Sequence, residues 1–297
     1  MGAVEPALLR LPGRRGVVLA SGDPGFFGVV RLLRERGHTP AVFAARSSVA
    51  RAFARIGRPW DDVAVVSVHG RALAPAVNLC RARGATAVLT APGAGPAEIG
   101  AALHGWSRTL VVAEDLDGPD GRLTTVTPAE AAARTWREPN VVLCLRDPDA
   151  VPAAGWLAGG RPSRGWALAD DAFDHRAGMV TKSEVRALAP ARLGPGPATL
   201  VWDVGAGSGA VGIECARLGA AVIAVERRAG VEACVGAPRI VVALAALDRL
   251  APTRAALRDY RVEGVQLAAS RLAELPDGTV RLAATNPILL LWGEKNR

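Results

Sequence analysis

Short apolar runs alternate with amphipathic stretches along the first half of the chain. Runs rich in β-branched residues predict buried strands, and apolar positions three and four apart predict helices. The predicted strands cover 16–21, 63–70, 86–90, 108–114 and 140–145, and the predicted helices cover 26–37, 71–83 and 128–136. This alternation predicts an α/β fold with a mostly parallel sheet.

A stretch dense in proline and glycine interrupts this pattern at 146–170. It has no apolar periodicity and is typical of a linker. A second α/β block follows, in which Thr181 or Ser183 is the predicted N-cap of the first helix. We therefore predict a domain at 1–150, a linker at 151–168 and a second domain at 169–297.

Three glycines stand at the centre of the second block. A predicted strand at 199–204 leads into the turn Gly205–Gly209, a helix that ends at Gly219, and a second strand that ends at Glu226. Glycines at such a turn let a ligand approach the backbone, and N–H groups at a helix start attract polar or anionic groups. Glu226 lies 21 positions after Gly205, where a carboxylate can accept both hydroxyls of an adenosine ribose.

Three interpretations of this turn remain open. It fits the dinucleotide fingerprint, it fits the glycine loop of S-adenosylmethionine (SAM) enzymes, and it could serve helix–strand packing alone. Asp203, two positions before the first glycine, favours SAM, because an acidic residue suits a ligand that carries an ammonium and a sulfonium group. A dinucleotide-binding strand usually has an apolar residue there.

The charge of the chain changes the expected partner only slightly. The 297 residues carry a net charge of +8, and of the 36 basic residues only Lys182 and Lys295 are lysines. The arginines are scattered rather than clustered, which argues against nucleic acid as the partner. They suit a small substrate with many carboxylates, because guanidinium pairs with carboxylate in a two-pronged geometry. A SAM enzyme that acts on RNA would instead require a continuous basic face beside Gly205.

The remaining features predict a soluble cytoplasmic protein without metal. Cys80, Cys144, Cys215 and Cys234 are far apart and form no CxxC pair, which argues against a zinc site or a disulfide framework. The first residues lack a secretion signal, and no apolar run is long enough to span a membrane. In the segment 67–71, His69 is a candidate structural or catalytic residue, and Arg71 is a candidate partner of a substrate carboxylate.

Two segments resemble known families. The sequence TKSEVRA from Thr181, followed by WDVGAGSG from Trp202, closely resembles precorrin methyltransferases of the CbiT type. The sequence SGDP from Ser21 is similar to a loop of tetrapyrrole methylases, and the first half follows the CbiE type. CbiE followed by CbiT is the layout of the CobL-type precorrin-6Y C5,15-methyltransferases (decarboxylating).

This resemblance implies SAM-dependent methylation of precorrin-6 at C-5 and C-15, with decarboxylation of an acetate side chain, in cobalamin synthesis. It implies a CbiE-like first domain, a CbiT-like, Rossmann-like (class I) second domain, and self-association. The residues expected to bind SAM, including Asp203 from the reasoning above, are Thr181, Asp203, Gly205, Ala206, Gly207, Ser208, Gly209 and Glu226 in the second domain and Gly22, Asp23 and Pro24 in the first.

Both halves depart from the family pattern. SGDP lies only about twenty residues from Met1, so an opening strand and glycine loop are expected to be missing. After residue 228 an internal block is expected to be missing, which leaves the second domain short of about two strands. Its first strand then pairs with the fifth or leaves an exposed edge. The alternative to an active enzyme is a degenerate, non-catalytic relative or scaffold subunit that binds SAM weakly.

Overall fold

The structure is a computed structural model that describes residues 16–116, 118–152, 158–159, 165–174, 180–225 and 237–296. The chain divides into two compact units, Met1–Arg161 and Pro162–Arg297, and the division falls within the stretch 146–170. Each unit contains both helices and strands, so the prediction of an α/β protein is confirmed.

One five-stranded sheet organises the first unit. The strand order is β1-β2-β5-β3-β4, and only β1 and β2 run parallel. The prediction of a mostly parallel sheet is therefore wrong for this unit. The described elements are α1 (Val29–Glu35), α2 (Ser48–Ile56), β1 (Ala64–Ser67), α3 (Ala74–Ala82), β2 (Ala85–Leu89), α4 (Pro96–Ala102), β3 (Thr109–Glu114), β4 (Arg122–Val126), α5 (Pro128–Ala132) and β5 (Asn140–Leu145).

Both faces of this sheet are buried. Successive side chains of a strand point to opposite faces, so Val88 and Val112 pack with α3 and α4, whereas Ala87 and Val111 pack with α2. Two hydrophobic clusters result, one on each face. This double burial explains why the central strands have continuous apolar sequences without polar alternation.

The predicted strand at 16–21 is wrong. Residues 16–20 have no regular secondary structure, and Val17 and Leu19 are 88% and 92% exposed. The apolar run pairs with no described strand, so its backbone lacks the ladder that a strand requires. Its apolar sequence alone did not determine its conformation.

The second unit has seven strands in its described residues, divided among three small sheets. β6 and β7 form a parallel pair, β8-β12-β9 is antiparallel, and β10 and β11 form an antiparallel hairpin. The described elements are α6 (Ser183–Leu193), β6 (Leu200–Val204), α7 (Ala210–Arg217), β7 (Ala221–Val225), β8 (Arg239–Leu244), α8 (Leu250–Ala256), β9 (Tyr260–Leu267), β10 (Ser270–Glu274), β11 (Val280–Ala284) and β12 (Ile288–Lys295).

The sequence predicted a domain short of about two strands, and the described residues of this unit contain seven strands. Within the described residues β6 pairs only with β7, so its other edge is unpaired. Of the two predicted outcomes for this strand, pairing with a later strand of the domain is not found among the described residues. The core is correspondingly divided: α7 packs on β6 through Val201 and Cys215, whereas α6 packs on the β8-β12-β9 sheet through Val185 and Leu290.

Candidate functional site

The glycine turn between β6 and α7 has the backbone that its sequence predicts. Gly205, Gly207 and Gly209 all have left-handed φ angles, of 72°, 53° and 71°. Residues with a side chain rarely adopt this conformation. Among the described residues, no atom would lie within 4 Å of a Cβ atom at Gly205 or Gly207.

The acidic residue before the loop has a structural contact. Oδ2 of Asp203 accepts a hydrogen bond of 2.8 Å from the backbone N–H of Gly212, in the first turn of α7. A Cβ atom at Gly212 would lie 2.9 Å from that oxygen, so glycine lets the helix approach the carboxylate. Asp203 therefore satisfies an N–H group that the helix itself leaves without a partner.

The loop is also fastened to the end of the neighbouring strand. The carbonyl of Val225 accepts hydrogen bonds from the N–H groups of Gly205, at 2.8 Å, and Ala206, at 3.2 Å. The N–H of Gly209 donates to the carbonyl of Ala206 at 2.7 Å, which closes the turn. Glu226, the predicted ribose ligand, follows Val225 in sequence and lies outside the described residues.

Thr181 is half-buried at the start of α6, and its carbonyl accepts a hydrogen bond from the guanidinium of Arg186. Neither Thr181 nor Ser183 is the N-cap of α6, contrary to the prediction, because that position belongs to Lys182. The N–H of Ser183 instead donates to Oδ1 of Asp170 at 3.0 Å. A carboxylate that lies thirteen residues upstream thus replaces a local cap, which a sequence pattern for local capping does not detect.

A buried guanidinium links the helices around the loop. Arg186 is fully buried on α6, stacks at 4.5 Å over Phe173, and lies 3.0 Å from Asp170. Its Nε is 3.6 Å from Oε1 of Glu214, which is fully buried on α7. Oε1 of Glu214 also accepts the N–H of Leu168 at 2.8 Å. The helix that begins at the glycine loop is therefore tied to the helix that follows Thr181.

Arg271 favours the ionised form of two carboxylates of this cluster, Asp170 and Glu184. Burial raises the pKa of Asp170, but hydrogen bonds from Arg271 and Arg186 outweigh it and bring the pKa below its ordinary value. Hydrogen bonds from Arg271 hold the pKa of Glu184 below its ordinary value as well. Nη1 of Arg271 is 2.9 Å from Asp170, and its Nη2 is 2.9 Å from Glu184. Arg271 thereby connects β10 to the start of α6.

Sequence reasoning missed this ionic cluster entirely. Asp170 stands in the stretch expected to be part of the linker and domain boundary, and Arg271 lies 101 positions from it. Three charged residues, Glu184, Arg186 and Glu214, could have indicated the cluster. They lie on helices that were otherwise predicted to pack through apolar faces. Charged residues are almost never fully buried unless they are paired.

In the first unit, the three residues predicted to bind SAM, Gly22, Asp23 and Pro24, make different kinds of contact. Gly22 has a φ angle of 79° and lines a cleft with Ala20, Ala44, Ala45, Arg46 and Arg51. Oδ1 of Asp23 accepts the N–H of Gly25 at 2.8 Å, and the carbonyl of Pro24 accepts the N–H of Val30 at 3.2 Å. Gly22 therefore faces the cleft, whereas Asp23 and Pro24 hold the turn that begins α1.

Nowhere in the described part of the chain do three or more His, Cys, Asp or Glu side chains gather as metal ligands would. Its helices are all too short or too polar to cross a bilayer.

These observations define the class of protein. The second unit is an α/β unit in which a glycine-rich loop follows the carboxyl end of the parallel strand β6 and begins α7. In open α/β sheets, ligands bind outside the carboxyl ends of the strands. Residues 171–257 match the family model of the precorrin methyltransferase domain. The predicted resemblance to precorrin methyltransferases is thereby confirmed.

Relatives of known name agree with this match. The chain is 36% identical over 223 residues to a Sinorhizobium sp. protein named precorrin-6Y C(5,15)-methyltransferase (decarboxylating). The matched region covers 72% of this chain and 52% of the relative. It is 34% identical over 218 residues to the Mycobacterium tuberculosis protein of the same name, over 71% of this chain and 52% of the relative. The chain therefore spans about half the length of these relatives.

Among solved structures, a precorrin-6Y C5,15-methyltransferase from Geobacter metallireducens is 22% identical. It matches with a TM-score of 0.38, over 46% of this chain and all of that chain.

Proposed function

We propose that this protein is a SAM-dependent methyltransferase of corrin-ring synthesis that methylates precorrin-6 at C-5 and C-15 and decarboxylates an acetate side chain. The names of the two relatives support this reaction. When bound, SAM supplies an electrophilic methyl group from its sulfonium. The protein's task is then to align that group with the substrate and to exclude water.

The observation that carries the proposal is the glycine loop. The left-handed glycines keep side chains out of the space beside the backbone, and Cβ atoms at Gly205 and Gly207 would enter that space. The residues therefore fit the cofactor. Gly205, Ala206, Gly207, Ser208 and Gly209 would border the adenosyl moiety, Glu226 would accept the ribose hydroxyls, and Thr181 would lie at the entrance.

Asp203 would have two roles in this scheme. One carboxylate oxygen accepts the N–H of Gly212, and the negative charge of the group would attract the ammonium of SAM. Asn at this position keeps an oxygen that can accept the N–H but removes the charge. The substitution Asp203→Asn therefore separates binding of the cofactor from support of the helix.

Calorimetric titration with S-adenosylhomocysteine tests the proposal. We expect micromolar affinity for the wild type, at least tenfold weaker binding for Asp203→Asn with unchanged thermal stability, and loss of both binding and stability for Asp203→Ala. Absence of heat at millimolar ligand would instead support the alternative, a degenerate relative or scaffold subunit without catalysis.

We assign the two units different parts of the reaction. The region 1–150 would act as the CbiE-like domain and methylate one carbon, with Gly22, Asp23 and Pro24 beside its own SAM. The region 169–297 would act as the CbiT-like domain and perform the other methylation and the decarboxylation, with 151–168 as the linker. The division is supported if Gly22→Val loses only one methylation and Gly207→Val loses only the other. Loss of both methylations in either variant contradicts it.

We also propose that the protein is a homo-oligomer and works in a reducing compartment such as the cytoplasm. The hairpin β10–β11 supports self-association, because Leu272 and Leu282 pair across it and are 78% and 68% exposed.

A reducing compartment is supported by Cys80, Cys144 and Cys215, which are free and buried.

A further inference from the structure

A cavity in the first unit gathers basic side chains that the proposed function does not yet use. It lies between α1 and the turn after β1, and it is lined by Phe27, Gly28, Arg31, Leu32, Glu35, His69 and Arg71. Gly28 is the N-cap of α1, and the lining positions 28, 31, 32 and 35 are three and four apart, so they share one face of the helix. The cavity thus combines an apolar wall with three groups that can donate hydrogen bonds to an anion.

The turn that carries His69 and Arg71 is firmly anchored. The N–H of Val68 donates to the carbonyl of Leu89 at 3.0 Å, which ties the turn to β2, and the N–H of Arg71 donates to the carbonyl of Val68 at 3.1 Å. Gly70 has a φ angle of 63°, which a side chain would disfavour. These contacts fix the backbone from which the exposed side chains of His69 and Arg71 reach the cavity wall.

The imidazole of His69 is oriented by a buried hydroxyl. Ser67 is buried, and its Oγ lies 3.3 Å from Nδ1 of His69 and 3.4 Å from the backbone N–H of the same residue. Ser67 thus contacts Nδ1 and leaves Nε2 outside this contact. When Oγ donates to Nδ1, the ring proton is on Nε2, which can then donate to a ligand.

The two guanidinium groups retain capacity for a ligand. Nη1 of Arg71 makes a 3.4 Å bond to the carbonyl of His69, which is long and involves a neutral acceptor. Among the described residues neither Arg31 nor Arg71 lies within 4.0 Å of a carboxylate. Glu35 also lines the cavity and reduces its positive charge.

We propose that this cavity is a carboxylate-binding subsite, in which Arg31, Arg71 and Nε2 of His69 hold one acid side chain of the tetrapyrrole. Phe27 and Leu32 supply the apolar wall against which the edge of the macrocycle packs. The assignment of the ligand as a tetrapyrrole rests on the proposed function, whereas the charge and donor geometry of the cavity do not.

Binding of uroporphyrin, a stable tetrapyrrole with eight carboxylates, tests the subsite. Equilibrium dialysis with the full chain at 0.1 M salt gives the dissociation constants of the variants. We expect Arg71→Gln and Arg31→Gln each to weaken binding about tenfold, because each removes a charge-assisted pair. Glu35→Gln should strengthen binding two- to threefold, because it removes the repelling carboxylate.

Arg34→Gln is the matched control. Arg34 lies on the same helix, carries the same charge and does not line the cavity, so its variant should bind like the wild type. If Arg34→Gln and Arg71→Gln weaken binding equally, only the net charge matters and the subsite is wrong. If the wild type does not bind uroporphyrin, the subsite is wrong as well.

The outcome is separable from that of the proposed function. S-adenosylhomocysteine binding with no selective effect of Arg71→Gln would leave methyl transfer supported and remove the subsite. A selective effect of Arg71→Gln without S-adenosylhomocysteine binding would establish the subsite on a chain that is not an active methyltransferase. Unchanged circular dichroism and thermal midpoints of the variants exclude a folding effect.

Discussion

At the scale of single residues, the glycine loop links conformation to function most directly. The conformations of Gly205 and Gly207 disfavour any side chain, and no atom of the described residues occupies the position of an added Cβ. Conformational strain and occupation of the cofactor space are two distinct effects of a substitution there. They can be separated because the second unit contains another strained glycine in open surroundings.

That comparison gives the first prediction. Gly207→Ala and Gly278→Ala, at φ angles of 53° and 83°, should each cost about 1–2 kcal/mol of unfolding free energy, because alanine disfavours both conformations. Only Gly207→Ala should weaken S-adenosylhomocysteine binding, by at least tenfold, since its methyl group enters the proposed cofactor space. Urea denaturation and calorimetric titration provide the two measurements. Equal affinities in the two variants would exclude the loop as the cofactor site.

At the scale of elements, the ion pair between Arg186 on α6 and Glu214 on α7 stabilises the packing of two helices. Both side chains are fully buried, and removal of Glu214 leaves Arg186 with Asp170 as its remaining carboxylate partner and the N–H of Leu168 without its acceptor. We expect Glu214→Met to reduce the unfolding free energy by about 3 kcal/mol. Adding Arg186→Met should recover part of that loss. Urea denaturation of the single and double variants measures the coupling, and strict additivity of the two losses would contradict it.

Arg271 makes the same region sensitive to acid. The pKa values of Asp170 and Glu184 are below their ordinary range in the folded protein, so the stabilisation is present above about pH 4 and is lost as the pH falls through the folded values. Arg271→Gln should therefore cost about 1 kcal/mol at pH 7 and less at pH 3. Urea midpoints measured across this range give the difference.

Arg281 provides the control for this prediction. It lies on the partner strand β11, is exposed and carries the same charge. Arg281→Gln should leave the midpoints unchanged at both pH values. A loss in Arg271→Gln that is as large at pH 3 as at pH 7 would show that the carboxylates are not responsible.

Local patterns account for the elements that the sequence predicted correctly. The run 199–219 specifies a strand, a glycine turn and a helix through neighbouring residues, and β6 and α7 form as expected. The run 16–21 has an equally apolar sequence but no strand to pair with among the described residues. Strand β4 was missed, because its sequence RLTTV lacks an apolar run and its pairing with β3 is a tertiary contact. Long-range pairing therefore determined where the predictions failed.

The same distinction applies to the candidate site. The conformation of the loop was predictable because it depends on glycines that are adjacent in the sequence. The contact from Asp203 to Gly212 was not, and neither was the bond from Asp170 to Ser183, since each joins residues that lie on different elements. The position of Asp203 was recognised for its charge, whereas its hydrogen bond gives it a second role in the helix.

At the scale of the whole molecule, the proposed self-association concerns the second unit. Its described strands form three separate sheets, and two-stranded sheets are marginally stable on their own. One face of the hairpin β10–β11 is fastened by Arg271 to Asp170. The opposite face presents Leu272, Leu282 and Val280, which are 78%, 68% and 56% exposed. An apolar face of this kind favours association with a second copy.

The last prediction concerns that face. We expect Leu272→Glu combined with Leu282→Glu to convert the oligomer to a monomer, because two carboxylates directly opposite each other repel and cannot be buried against a partner. Light scattering after size-exclusion chromatography measures the mass. Leu247→Glu is the control, since Leu247 is 72% exposed in the same unit but outside the hairpin, and this variant should keep the wild-type mass. A wild type that is monomeric at high concentration would contradict self-association, and a double variant that keeps the oligomeric mass would place the interface elsewhere.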